Sequence, residues 1–217
     1  MLNELGINVQ SGICEIDGIK ADNYDFSKVS ESEIFALDNE VEQAQKDAIL
    51  KAKNSHNSVG GVALVNVKNA PIGLGEPLYF KLDSQIANAM MGINAVKAVE
   101  IGDGILASKV KGYDNNDQIR KTGFKTNHSG GILGGISNGD DINVKVYFKA
   151  TPSIFIEQET IDTANNEVNC QLKGRHDPCV AVRGSVVAES MMALVLADMV
   201  LLNMSSKIEN VKKVYSK

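Results

Sequence analysis

Residues 142–148, Ile-Asn-Val-Lys-Val-Tyr-Phe, alternate apolar and polar side chains without a break. Successive strand residues face opposite sides, so Ile142, Val144, Val146 and Phe148 share one face while Asn143, Lys145 and Tyr147 share the other. Such a strand needs a sheet covered on one side and wetter on the other, the habit of antiparallel sheets. Just before it, Gly130, Gly131, Gly134, Gly135 and Gly139 place five glycines within ten positions. Bare backbone serves tight turns and close chain packing, or leaves amides open to a phosphate or a flat ring, and this density favours binding. Neither standard nucleotide template fits: Gly135 is followed by Ile136-Ser137 rather than Lys-Ser or Lys-Thr, and Gly102-Asp-Gly104 leads into a polar stretch with no helical period.

The other segments supply partners for that strand. Residues 7–21 alternate around Asp17-Gly18, which predicts strand, tight turn, strand. Asp38 is placed to cap a helix whose apolar positions Val41, Ala44, Ala48, Ile49 and Ala52 recur at helical spacing. Residues 59–67 return to a strand pattern. Asp83 is the expected cap of a second helix carrying Ile86, Ala87, Met90 and Met91, residues 94–104 read as a short strand ending in glycines, and residues 167–172 as a weaker one. Residues 108–127 are polar and aperiodic, carry Lys109, Lys111, Arg120, Lys121 and Lys125, and are expected to form a mobile loop able to close over an anion. A long apolar helix from about Gly184 to Met204 closes the core. Glu189 and Asp198 interrupt it on opposite faces, which argues for a buried helix rather than a membrane span.

With 217 residues, 43% of them hydrophobic and 23% charged, the chain can bury one full core, and residues 1–217 are read as a single domain. Residues 1–50 hold eleven acids against three lysines, which leaves the remainder mildly basic. At a sequence pI near 5.3 a nucleic-acid surface is not expected, whereas a local pocket for a small anion is. Cys14, Cys170 and Cys179 follow no repeated spacing and the first ten residues lack signal-peptide character, so a reducing, cytoplasmic setting is expected. His176 and Cys179 make only one close ligand pair, too few for structural zinc, and no metal is expected. Arg175, His176 and Asp177 stand in a row before Pro178. Proline stiffens that turn, and three ionisable side chains beside an apolar helix read as a site.

Three stretches carry a family resemblance: residues 75–104, beginning Gly-Glu-Pro-Leu-Tyr-Phe-Lys-Leu-Asp; residues 126–154, which contain the glycine run; and residues 174–184, Gly-Arg-His-Asp-Pro-Cys-Val-Ala-Val-Arg-Gly, followed by a Glu-containing apolar helix. In order, they resemble the motifs of chorismate synthase from about Leu2 to the end of that helix. The resemblance implies an α+β layered sandwich of antiparallel sheets and helices, assembled as a homotetramer partly through sheet edges. It implies 1,4-anti elimination of phosphate from 5-enolpyruvylshikimate 3-phosphate to give chorismate, with reduced FMN required although no net redox change occurs. The reduced flavin would come from an external flavin reductase or an intrinsic, NADP-linked one. Carried over residue by residue, the flavin contacts fall on Asn94 and Ala95, on Gly134, on Lys149, Ala150, Thr151, Pro152 and Ser153, and on Arg175, while Asp177 matches the acid assigned to proton handling. His176 is then a neighbour.

Two departures are local. Lys149-Ala150-Thr151 stands where many members have Lys-Pro-Thr, and Arg183-Gly184-Ser185-Val186 where Arg-Ala-Val-Pro is usual. A larger one lies at the front: the family's Gly-Glu-Ser-His-Gly motif, a second catalytic histidine, several substrate arginines and a Ser-Ala-Arg-Glu flavin contact do not occur in this sequence, so the resemblance implies a core incomplete at its N-terminus. A shortened member of a lyase family and a non-catalytic flavin-binding or oligomerisation module are the two readings this leaves.

Overall fold

The computed structural model describes residues 1–216. Strand β1 (Asn8–Ile16) turns at Asp17-Gly18 into the short β2 (Ile19–Lys20), as the alternation predicts. Helix α1 (Asn39–Asn54) begins at Asp38, whose carboxylate accepts the Glu40 N–H at 2.9 Å. There follow β3 (Gly61–Lys68), α2 (Leu82–Met91) and β4 (Val96–Ile101). Residues 108–127 fold locally into the single turn α3 (Gly112–Asn115) and the two-residue strands β5 (Ile119–Arg120) and β6 (Gly123–Phe124). The glycine run forms a second small hairpin, β7 (Ile132–Leu133) and β8 (Ile136–Ser137), ahead of β9 (Ile142–Phe148). An exposed hairpin of β10 (Gln158–Ile161) and β11 (Glu167–Cys170) precedes α4 (Ala181–Met204) and α5 (Ile208–Tyr215).

The central sheet is antiparallel throughout, in the order β2-β1-β3-β9-β4. Its inner face is the predicted one: Ile142, Val144, Val146 and Phe148 are buried beside Ala63, Val65 and Val67, beneath α2 and α4. The outer face is half covered, because residues 21–38 and α1 bring Ala21, Leu37, Phe26, Val29 and Val41 onto Cys14, Val62 and Leu64. Farther along that face a polar row crosses three strands. Gln10 donates to Asn66 Oδ1 at 2.9 Å, and Asn66 Nδ2 donates to Asn143 at 2.8 Å and to Asp141 at 3.2 Å.

Three expectations change in detail. Helix α2 starts at Leu82, with Lys81 as its cap residue, because burying Leu82 completely draws the chain into the helix before Asp83. The carboxylate of Asp83 instead accepts its neighbour Ser84 N–H at 2.8 Å. Helix α4 starts at Ala181 rather than Gly184, since Ala181 packs against Gly61 and Gly184 against the Phe148 ring. It is also buried along one stripe only: Ala188, Met192, Leu196 and Met199 are covered, whereas Val186, Val187, Leu194 and Leu201 are exposed. By length and composition α4 is, among the described residues, the one helix apolar enough to cross a membrane.

Candidate functional site

The inner core fixes where the end of β9 meets the start of α4. Val59 N–H bonds Pro178 O at 2.9 Å, and Lys149 N–H bonds Ala95 O at 2.9 Å. A Cβ on Gly60 would meet Phe148 O at 2.7 Å, so only glycine lets the chain lie this close. These ties bring three distant segments together: residues 93–95 after α2, residues 149–153 after β9, and residues 175–179 before α4.

Two grooves open at the junction. One, of about 640 Å³, lies between α2 and α4 and is walled by Ile93, Phe148, Val180, Val187 and Met191, with Asn88, Asn94 and Arg183 as polar members. The other, of about 750 Å³, is lined by Ile34, Ile49, Val182 and the turn Arg175-His176-Asp177-Pro178-Cys179, again with Arg183. Both fall in the size range of small-molecule sites. Ala95 holds a left-handed backbone, φ 70°, which a non-glycine residue adopts at a cost and which turns the chain out of the groove into β4.

Charge and hydrogen bonding concentrate on the second groove. Asp177 Oδ1 accepts the Cys179 N–H at 3.2 Å, and its Oδ2 accepts Arg183 Nε at 2.8 Å and also Arg183 Nη2. The partner of Asp177 is therefore Arg183, whereas Arg175, its neighbour in the same turn, is exposed. His176 packs on Phe155 with ring centroids 4.9 Å apart, and Phe155 in turn meets His56 edge-on at 5.8 Å. Two buried polar atoms here have no protein partner, Thr151 Oγ1 and His176 Nε2. Ser58 Oγ holds the Thr151 carbonyl at 2.6 Å, which fixes the strap that carries Lys149 and Ser153.

Of the residues singled out in the sequence, the structure therefore gathers Asn94, Ala95, Lys149, Ala150, Thr151, Pro152, Ser153, Arg175 and Asp177 at one end of the sheet. Gly134 is elsewhere, in the β7–β8 turn, where Gly135 O accepts the Leu82 N–H at the start of α2. The seven residues of β9 lie between, roughly 24 Å at ~3.4 Å each. Most of the glycine run is packing: Gly130 and Gly102 face each other so closely that a Cβ on either would overlap the other's backbone. Only Gly134 faces open space, with nothing within 4 Å of a Cβ built there. The basic segment 108–127 is at that same end. The carboxylate of Asp117 accepts the His128 N–H at 2.7 Å and the Ser129 N–H at 2.9 Å. Among the described residues no three His, Cys, Asp or Glu side chains gather as a metal site.

Arg183 was missed by sequence reasoning. Its signal was the interval: Asp177, then Pro178, then a helix whose third residue is arginine, so that one turn folds the guanidinium back over the carboxylate.

Comparison with known proteins agrees with the fold. The chorismate synthase family model matches residues 1–201. The chain is 84% identical over 217 residues to a chorismate synthase of Aliarcobacter butzleri and 64% identical over 217 residues to that of Sulfurimonas denitrificans, in each case spanning all of this chain and 61% of the relative. A crystal structure of a chorismate synthase superposes with a TM-score of 0.77 at 30% identity, covering 98% of this chain and 62% of that one.

Proposed function

The chain belongs to the chorismate synthase family, and we propose that it carries the flavin-facing part of a site that converts 5-enolpyruvylshikimate 3-phosphate to chorismate and phosphate. The observation that carries this reading is that Asn94 lines one groove beside α4 and Arg175 and Asp177 the other, with the strap of Lys149 and Thr151 tied to the same junction through Ala95 and Ser58. The residues fit a flavin: an apolar wall for a flat ring in one groove, the Arg175 cation for an anionic tail in the other, and an unpartnered buried hydroxyl on Thr151 in the neighbouring strap. Reduced FMN held there would supply transient electron donation to the substrate with no net redox change.

The chain's own residues have definite tasks. Phe148, Val180, Val187 and Met191 exclude water from the ring's side of the groove, which strengthens every electrostatic contact inside. Asn94 orients a ring edge by hydrogen bonding, while Lys149 and the planar fork of Arg175 meet anionic oxygens. Asp177 would take the proton on a carboxylate oxygen. Tetrameric assembly, a supply of reduced flavin from a reductase, and a cytoplasmic location belong to the same reading.

The chain spans 61% of the length of the relatives it matches. The catalytic histidine and arginine motifs that the family resemblance calls for do not occur in it, so the 217-residue chain alone should bind without turning over. The test joins the chain to the segment of the Aliarcobacter butzleri relative that it does not match, and measures chorismate formed with reduced FMN. The joined protein should be active and the chain alone silent; an inactive joined protein, or turnover by the chain alone, refutes the reading. In the joined protein Asp177→Asn should lower turnover by roughly 10²-fold or more with flavin affinity within a few-fold, the pattern of a lost proton carrier. Arg175→Ala should weaken binding first. Intact turnover in Asp177→Asn would make Asp177 structural.

A further inference from the structure

We infer that Arg183 is a positioning residue for Asp177, an inference that rests on the reading of Asp177 as the proton carrier. Arg183 occupies the first turn of α4, and the start of that helix is immobilised on both sides: Ala181 is fully buried against Gly61, and a Cβ on Gly184 would stand 2.5 Å from the Phe148 ring. The side chain leaves this fixed point and lays Nε and Nη2 on one carboxylate oxygen of Asp177, while the Cys179 N–H takes the other. Both oxygens of Asp177 are thereby held from one side by three donors.

Three features separate this from an ordinary surface ion pair. Asp177 keeps only 20% of its side-chain surface exposed, whereas Arg183 keeps 77%, so the arginine is spread over the carboxylate from the solvent side. Arg183 lines both grooves, the one with Asn94 and the one with Arg175. The guanidinium has five N–H donors and spends two on Asp177, which leaves the rest free to face either groove. The turn itself offers Asp177 little else. Pro178 has no N–H, and Arg175, two residues away, is not paired with it. Without Arg183 the carboxylate retains one backbone contact and can rotate away from the reacting ring.

Two measurements test this. In the 217-residue chain, Arg183→Met should speed hydrogen exchange of the Cys179 amide about tenfold, leave the Ala188 amide unchanged, and be partly restored in Arg183→Lys. In the joined protein described above, Arg183→Met should lower kcat roughly 10- to 100-fold, the scale of a charge-assisted hydrogen bond, with flavin affinity held within about threefold. Combined with Asp177→Asn it should cost no more than about twofold beyond that single change, because both act through one carboxylate. Additive losses, or weaker flavin binding by Arg183→Met in the Asp177→Asn background, would make Arg183 a direct ligand contact and overturn the inference. Should the wild-type joined protein form no chorismate, the enzymatic reading fails separately. The exchange measurement then decides for Arg183, and unchanged Cys179 protection overturns its role.

Discussion

Replacing Asn66 with Asp tests the polar row that holds β1, β3 and β9 in register. Asn66 is 4% exposed and stands opposite Gln10 on one side and Asn143 on the other. Its amide nitrogen makes the 2.8 Å bond to Asn143 and the 3.2 Å contact to the Asp141 carboxylate. Aspartate keeps the acceptor that Gln10 needs but turns both donor contacts into oxygen facing oxygen, one of them charge on charge. At 3.2 Å two unit charges repel by about 5 kcal/mol at an effective dielectric of 20 and by about 1.3 kcal/mol in water. The site lies between those limits, since Asp141 is half-buried and can swing outward. Asn66→Asp should therefore be about 2–4 kcal/mol less stable than Asn66→Ala at pH 7. The sign with pH follows from the repulsion. A second carboxylate raises the folded-state pKa of the pair above the unfolded value near 3.9, so the stability present at low pH is lost as pH rises through that raised value. Urea unfolding at pH 4 and pH 7, read as a shift in midpoint at constant slope, gives the comparison. A gap between Asp and Ala variants that is absent at pH 7, or equal at both pH values, would refute the reasoning.

Other consequences are simpler to measure. Burial pushes the Cys14 thiol up to about 12 and raises that of Cys179 as well, while Cys170 is exposed on β11, so one thiol per native chain should react with a thiol reagent at pH 8; two or more fast thiols would contradict the packing. The amides of Asn23 and Glu40 hold the Asp38 carboxyl below the usual carboxylate range. Its stabilising effect should be full above about pH 4 and fade as pH falls through that lowered value, so Asp38→Ala should lower the urea midpoint at pH 7 and differ less from wild type near pH 2. Within residues 108–127, amides of β5 and β6 should exchange rapidly, whereas those of His128 and Ser129, anchored on Asp117, should be protected until Asp117→Ala releases them.

The sheet was legible because its signals are local. Alternation in residues 142–148 gives one strand and its buried face, Asp17-Gly18 gives a hairpin, and Asp38 gives a helix start, each from a few neighbouring residues. What failed depended on contacts made at a distance. Asp83 has the chemistry of a cap, yet the burial of Leu82 decides where α2 begins. Gly184 resembles a helix boundary in sequence, but it lies inside α4 because the Phe148 ring leaves no room for a larger residue in this packing. The candidate site was legible in part for the same reason. Motif resemblance places Asn94, Lys149 and Asp177, whereas the pairing of Asp177 with Arg183 exists only once a helical turn has folded back.

The position of the site follows from how the core is closed. Antiparallel β9 ends at Phe148, and its ring is covered where α4 comes down on it at Gly184. That contact sets the first turn of α4, and with it the distance between Arg183 and the stiff turn carrying Asp177. It also holds the strap after β9 against Ala95 and Ser58, which fixes Lys149 and Thr151 relative to Asn94. The geometry of the candidate site is thus borrowed from a buried joint of the core rather than built on loops of its own. Gly134 and the lysines of residues 108–127 share no such joint with Lys149, because β9 separates them by its whole length. A ligand held by the junction beside α4 meets a rigid wall made by the sheet and two helices, and the freedom left in the site belongs to the exposed side chains of Lys149, Arg175 and Arg183.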